Sequence, residues 1–99
     1  MGRAKITVIG KDFYPEFNKY VKNKHDGPCG NMEIGDVFYT SGKNCDDRPE
    51  GFCPYAWNAI KKYAMTFASG GRVNLADVRV ACCNDGISPV YFAIEADKQ

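Results

Sequence analysis

Cysteines beside backbone breakers are the residues of this chain best suited to chemistry. Cys29 lies in Gly-Pro-Cys-Gly, Cys53 lies in Gly-Phe-Cys-Pro, and the pair Cys82 and Cys83 runs directly into Asn-Asp-Gly. Such junctions between elements are where proteins often place ligands and reactive groups. The five cysteines are an odd number and include no C-x-x-C pair. We therefore expect free thiols or metal ligands, and not a disulfide scaffold.

Cys53 is the strongest candidate because it directly precedes Pro54, a residue that suits the first position of a helix. The unpaired N–H groups and the positive end of the helix dipole favour an anion there. A thiol in that position is more often a thiolate, the form that attacks electrophiles and binds metals. The alternative is a small buried apolar residue, since free cysteine is among the most buried residue types.

Three of the thiols, Cys29, Cys53 and Cys83, make a candidate metal site if the fold brings them together. They would bind zinc with a fourth ligand, or an iron–sulfur cluster with one open iron. Conceivable fourth ligands are His25 and Asp85. His25 is the only histidine and lies in a lysine-rich stretch, so we expect it to be solvated.

The other two cysteines are expected to stand outside the site. Side chains alternate along a strand, so Cys82 shares a face with Val78 and Val80, whereas Cys83 points the other way. Because the valine face is the more apolar one, we expect Cys82 in the core and Cys83 toward a site or solvent. Cys45 lies in a polar stretch and is interpreted as an incidental surface thiol.

Two further residues are expected to shape the pocket around the thiols. Asp85 belongs to an Asn-Asp-Gly turn, where its side chain is expected to make turn hydrogen bonds. Trp57 lies on the apolar stripe of the predicted main helix. Core packing is therefore its first expectation, and stacking on a ligand is the alternative.

The helices and strands predicted from the sequence indicate an α+β fold, in which one main helix packs on a small, mostly antiparallel sheet. The main helix is predicted over about 54–69, because Pro54 suits its start, Gly70 and Gly71 suit its end, and apolar residues recur at helical spacing. A C-terminal β-hairpin is predicted around the Asp-Gly turn. The strands are predicted at 5–10, 36–40, 76–83 and 89–96, and a short amphipathic helix at 13–22.

Length and charge limit the class of protein. The 99 residues predict a single domain over 1–99. Charge is balanced, with 13 lysines and arginines against 12 aspartates and glutamates, so nucleic acid is not expected as a partner. No apolar run is long enough for a membrane span or a signal peptide, so no membrane association is expected. A cytoplasmic location is therefore expected.

Two motifs resemble those of a known family. They are Pro49-x-Gly51-Phe52-Cys53-Pro54-x-Ala56-Trp57-x-x-Ile60 and Cys83-x-Asp85-Gly86-x-x-Pro89-Val90-x-Phe92-x-Ile94-Glu95. Both are similar to motifs of a family of uncharacterised bacterial and archaeal proteins of about this length. The resemblance implies one compact domain, and it marks Cys29, Cys53 and Cys83 as pattern positions but not Cys45. It supplies no activity.

The leading hypothesis is a small protein that binds a metal or iron–sulfur centre, or performs thiol redox chemistry, through Cys53 with Cys83 and Cys29. The alternative is a non-catalytic, self-associating domain in which the cysteines are packing residues. Its basis is the aromatic content, since six Phe, six Tyr and one Trp exceed the needs of a small core and favour an interface in a homo-oligomer. A third interpretation is a small-molecule carrier with a pocket lined by Trp57 and tyrosines.

Overall fold

The computed structural model describes residues 2–43 and 46–97, so Cys45 lies outside the described residues. The elements in chain order are β1 (Arg3–Lys11), a 3₁₀ helix (Pro15–Tyr20), β2 (Val37–Thr40), α1 (Pro54–Ala68), β3 (Val78–Cys82) and β4 (Val90–Asp97). The strands form one antiparallel sheet in the order β2-β1-β4-β3, and α1 packs mainly on β1 and β4. The predicted α+β fold, with one main helix and a C-terminal β-hairpin, is confirmed. Among the described residues, no helix has both the length and the apolar character to cross a membrane.

The main helix is built as its sequence predicts. Pro54 occupies the first turn, where its missing N–H costs no hydrogen bond. The predicted apolar stripe is buried, from Trp57 at one end to Phe67 and Ala68 at the other. The helix ends at Ala68 because Gly70 follows with a φ of +92°, a left-handed conformation that glycine adopts without strain.

The core lies between this stripe and one face of the two central strands. Alternate residues of β1 and β4 point toward α1 and are fully buried, among them Ile6, Val8, Phe92 and Ile94. Each such side chain contributes roughly 1.5 to 3 kcal/mol through removal of its apolar surface from water. The helix and the central strands therefore hold each other in place.

Phe52 joins the helix start to the sheet. Its ring is buried and packs edge-on against Phe38 of β2, with 4.9 Å between ring centroids. It also lies 5.3 Å from the ring of Phe92 in β4 and 6.0 Å from that of Trp57 in α1. Because Phe52 directly precedes Cys53, this aromatic cluster determines where the helix N-terminus meets the sheet.

The face of β3 that packs on the core differs from the prediction. Val78, Val80 and Cys82 are exposed, whereas Arg79 and Ala81 point toward the helix. The prediction of Cys82 in the core is therefore wrong. The physical reason is that Arg79 lies at a sheet edge, where its guanidinium stacks 4.8 Å above the ring of Tyr63 in α1 while its stem covers apolar surface.

The predicted amphipathic helix at 13–22 is also wrong. The structure has only the 3₁₀ helix Pro15–Tyr20, which buries none of its residues. Phe17 and Tyr20, expected on a buried stripe, are 45% and 74% exposed. A six-residue segment with no surface to pack against gains too little from burial to form a regular α-helix.

Because one face of the sheet is buried and the other is exposed, the same Val→Thr substitution should change the free energy of unfolding differently on the two faces. Val8→Thr places a hydroxyl in the core and is expected to lower the free energy of unfolding by about 1 to 3 kcal/mol. Val80→Thr changes an exposed position and is expected to stay within about 0.5 kcal/mol of the wild type. Urea unfolding followed by circular dichroism at low protein concentration measures both, and a larger loss for Val80→Thr would contradict the assignment.

Candidate functional site

The three cysteines predicted to act together line one cavity. Its volume is about 210 Å³, and a sphere of that volume is about 7 Å across. Pockets for drug-sized ligands measure roughly 300 to 1,000 Å³, so this one suits a smaller molecule. We call it the cysteine cavity, and its walls are formed by Cys29, Asn31, Met32, Cys53, Tyr55, Ala56, Cys83, Asn84, Asp85, Ser88 and Val90.

Cys53 reaches the cavity from the N-terminus of α1. It is the N-cap residue, with extended backbone angles, and its carbonyl accepts the first helical hydrogen bond from the Trp57 N–H at 2.9 Å. Within the described part of the chain its side chain makes no capping hydrogen bond. The thiol thus lies at the positive end of the helix, as its position in the sequence predicts, and it does not cap the helix.

Cys53 also borders a second, more open depression. This outer groove of about 430 Å³ is lined by Cys53, Tyr55 and Arg48, among others. The Arg48 guanidinium donates a hydrogen bond to the Phe52 carbonyl, which holds the cation beside the helix start. Cys53 therefore borders both the outer groove and the cavity that Cys29 and Cys83 also line.

Cys83 is fixed at the end of the hairpin by its cross-strand neighbour. Its N–H donates to the Val90 carbonyl at 3.0 Å, and the Val90 N–H donates to the Cys83 sulfur at 3.3 Å. The side chain is half-buried and packs on the core. The prediction that Cys83, and not Cys82, serves the site agrees with this placement, although the reason offered for it was wrong because Cys82 is exposed on the other face.

Cys29 comes from the loop before β2, and a set of hydrogen bonds ties this loop to the hairpin. The Asn18 side chain brackets His25 by donating to its carbonyl at 3.0 Å and accepting from its N–H at 2.9 Å. The Ser88 hydroxyl donates to the Gly27 carbonyl at 3.0 Å. These bonds hold the loop so that the half-buried Cys29 packs against the core and lines the cysteine cavity.

His25 is not the solvated residue that the sequence predicts. Its Nδ1 lies 2.8 Å from the Ser88 hydroxyl oxygen and 4.0 Å from a carboxylate oxygen of Asp85. The Ser88 hydroxyl therefore lies within hydrogen-bond distance of both the His25 ring and the Gly27 carbonyl. The two contacts link the loop that carries Cys29 to the C-terminal hairpin.

Asp85 forms the turn predicted for it. One carboxylate oxygen accepts the N–H groups of Ile87 at 2.9 Å and Ser88 at 3.0 Å. Burial opposes ionisation of Asp85, but these two N–H groups and the nearby His25 together hold its pKa below the ordinary value. The residue therefore shapes the hairpin loop and places a carboxylate in the cavity wall.

Trp57 packs in the core, as its place on the apolar stripe predicts, and it does not shape the pocket; Ser88 lines the cavity but was not among the predicted site residues. The indole N–H of Trp57 donates to Asp46 at 2.6 Å. Ser88 links the Cys29 loop to the hairpin. Its position shortly after the turn aspartate could have identified it, because the carboxylate of an aspartate in a turn often accepts a hydrogen bond from a backbone N–H a few residues later.

The side chains that could bind a metal are not clustered in the part of the chain that the structure describes. Across residues 2–43 and 46–97, no three His, Cys, Asp or Glu side chains are close enough together to hold a metal ion. The four cysteines in these ranges are free thiols. Zinc and iron–sulfur binding by Cys29, Cys53 and Cys83 stays a prediction.

Comparison of the chain with protein-family models, curated proteins and solved structures gave no match. The resemblance based on the two cysteine motifs stays a prediction, and the proposals that follow rest on geometry.

The Asp85 turn predicts a measurable contribution to stability. Asp85→Ala removes the acceptor of two hydrogen bonds and is expected to lower the free energy of unfolding by about 1 to 2 kcal/mol. Asp85→Asn is the matched control, because its amide oxygen still accepts both N–H groups, and it is expected to lose clearly less at neutral pH. Equal losses for the two variants would contradict the role assigned to the turn.

A pH dependence follows from the lowered pKa values of two carboxyl groups. Hydrogen bonds from the hydroxyl and N–H of Ser41 lower the pKa of Asp47, as the Ser88 and Ile87 N–H groups do for Asp85. A carboxyl with a lowered folded-state pKa adds stability above its unfolded value of 3.8 and loses it as the pH falls through the folded value. Urea unfolding from neutral pH to below about pH 3 should show this loss, and Asp85→Asn should lose less. An unchanged acid loss in this variant would contradict the assignment.

Proposed function

We propose that this protein performs thiol redox chemistry in the cysteine cavity, with Cys53 as the attacking thiolate. The observation that carries the proposal is the convergence of Cys29, Cys53 and Cys83, distant in the chain, on one cavity of about 210 Å³. Packing alone gives no reason for three half-buried cysteines to line one small cavity. The free thiols suit a reducing compartment, so we place the protein in the cytoplasm.

The geometry gives the three thiols different roles. Cys53 lies at the positive end of α1 and borders the outer groove, so it is the thiol that meets a substrate first. Cys83 is held by two hydrogen bonds to Val90, and Cys29 lies in the loop tied down by Ser88. Either is a resolving thiol that attacks from inside the cavity.

The substrate class proposed is a small disulfide. The Cys53 thiolate attacks one sulfur, the S–S bond breaks, a mixed disulfide forms on Cys53, and the departing thiolate takes a proton. A second cavity thiol then loses its proton and attacks the Cys53 sulfur, which releases the other half of the substrate as a thiol. Two protein thiols are thereby oxidised to one disulfide, and one small disulfide is reduced to two thiols.

The test compares the reaction rates of single cysteines with a small probe, hydroxyethyl disulfide, followed by intact mass and peptide mapping. Cys53 is expected to form the mixed disulfide roughly tenfold faster than Cys82, although Cys82 is the more exposed thiol. The product should then lose the adduct and show a Cys53 disulfide to Cys83 or Cys29. Cys53→Ser should abolish the fast phase, while the control Cys82→Ser should leave it intact.

Two outcomes would decide against the proposal. If Cys82 reacts as fast as Cys53, exposure alone governs reactivity and the cavity has no special chemistry. If anaerobically purified protein carries about one equivalent of metal that Cys53→Ser loses, the three cysteines are ligands, and the metal-binding function replaces the redox one.

A further inference from the structure

The sheet face opposite α1 carries exposed apolar side chains on both outer strands. Val37 and Tyr39 of β2 are each 42% exposed, and Val78 and Val80 of β3 are 46% and 59% exposed. These residues form two apolar patches at the two edges of the face, and exposed apolar patches on a small protein often mark an interaction site. This face is distinct from the cysteine cavity, whose walls include Ala56 of α1 and the buried side chain of Val90.

The registers of the strands arrange this face in two rows. One row crosses the sheet through Val37, Thr7, Ala93 and Val80, and is uncharged. The next row crosses it through Tyr39, Lys5, Glu95 and Val78, so that opposite charges lie on the two central strands. In each row the two end residues, on β2 and β3, are apolar, and the two central residues, on β1 and β4, are of different types.

This arrangement is complementary to itself. The strand order β2-β1-β4-β3 has its middle between β1 and β4. Consider two sheets stacked face to face, related by a two-fold axis that runs parallel to the strands, midway between β1 and β4 and midway between the two sheets. This axis places β1 of one copy over β4 of the other, and β2 over β3. Lys5 then faces the partner's Glu95, Glu95 faces the partner's Lys5, and Val37 faces the partner's Val80.

We propose that a second copy of this chain covers the face, in a homodimer built as a β-sandwich with a two-fold axis between β1 and β4. Two symmetric Lys5–Glu95 ion pairs and the facing valines set the register of the two sheets, which stack about 10 Å apart. Arg72 and Asp77 border the same end of the face, but they pair with each other at 3.3 Å. Arg3 and Asp97, the next pair on the two central strands of this face, also form an ion pair within the chain, and the Arg3 guanidinium stacks 4.2 Å above the Tyr39 ring. We therefore expect the Lys5 and Glu95 charges to set which copy fits.

The size of the face predicts the strength of the dimer. Four strands about 4.8 Å apart span about 19 Å, and five residues of strand span about 17 Å. The resulting flat footprint of about 320 Å² is less than half of the roughly 800 Å² that a standard specific interface buries on each partner, so the interface is of the weak, transient kind. We expect a reversible dimer that dissociates on dilution through roughly the micromolar to 100 µM range.

The test is sedimentation velocity on the full chain under reducing conditions, with two charge reversals measured alone and mixed. Lys5→Glu leaves two acidic residues at the centre of the face, and Glu95→Lys leaves two basic ones. Each variant alone is expected to be monomeric, because like charges face each other across the axis. A one-to-one mixture is expected to dimerise, since every acidic residue then faces a basic one.

Mixing the two variants separates the effect of charges between chains from the effect of charges within one chain. Each variant keeps its like-charged pair within its own sheet whatever it is mixed with, so only contact between chains restores attraction. Lys62→Glu is the matched control, because it makes the same charge change on the exposed side of α1, and it should dimerise as the wild type does. Wild-type protein that stays monomeric to the highest concentration, or a mixture that stays monomeric, would overturn the proposal.

A second variant keeps the test valid if a charge reversal prevents folding. Val80→Lys alters a side chain that is 59% exposed, so it should fold. It removes the Val37–Val80 contacts and is expected to be monomeric at concentrations where the wild type is a dimer. A folded Val80→Lys protein with undiminished dimerisation would place the interface elsewhere and overturn the proposal.

Discussion

Burial of Phe52 against the sheet is the interaction on which the rest of the structure depends. Its ring contacts aromatic rings from β2, α1 and β4 at once, so it fixes the start of the helix relative to the central strands. The helix then covers one face of the sheet along its whole apolar stripe. Cys53 follows Phe52 directly, and its position at the helix N-terminus is a consequence of that packing.

The cavity exists because three separate constraints meet at this end of the sheet. The helix start supplies Cys53, the end of the hairpin supplies Cys83, and the loop held by Ser88 supplies Cys29. Among the hydrogen bonds of the described residues, the Cys83 sulfur accepts one from the Val90 N–H, in which sulfur is a weak acceptor. All three side chains are free thiols.

Much of the fold could be predicted from local patterns, and the failures have physical causes. The 3.6-residue repeat from Trp57 to Ala68 specified α1, and Pro54 and Gly70 specified its ends, because these features act within a few residues. The face of β3 was mispredicted because residue polarity ranked two valines above an arginine. Stacking of Arg79 on Tyr63 is a tertiary contact that no pattern within the strand contains.

The candidate site shows the same division. Sequence alone determined which thiols stand at element junctions, that Cys53 begins a helix, and that Asp85 makes a turn, because each follows from neighbouring residues. Only the tertiary structure decided that Cys29, Cys53 and Cys83 share one cavity, that Trp57 is not part of its wall, and that His25 contacts Ser88. Such contacts join residues far apart in the chain, and their distances depend on how the helix, the hairpin and the loop pack together.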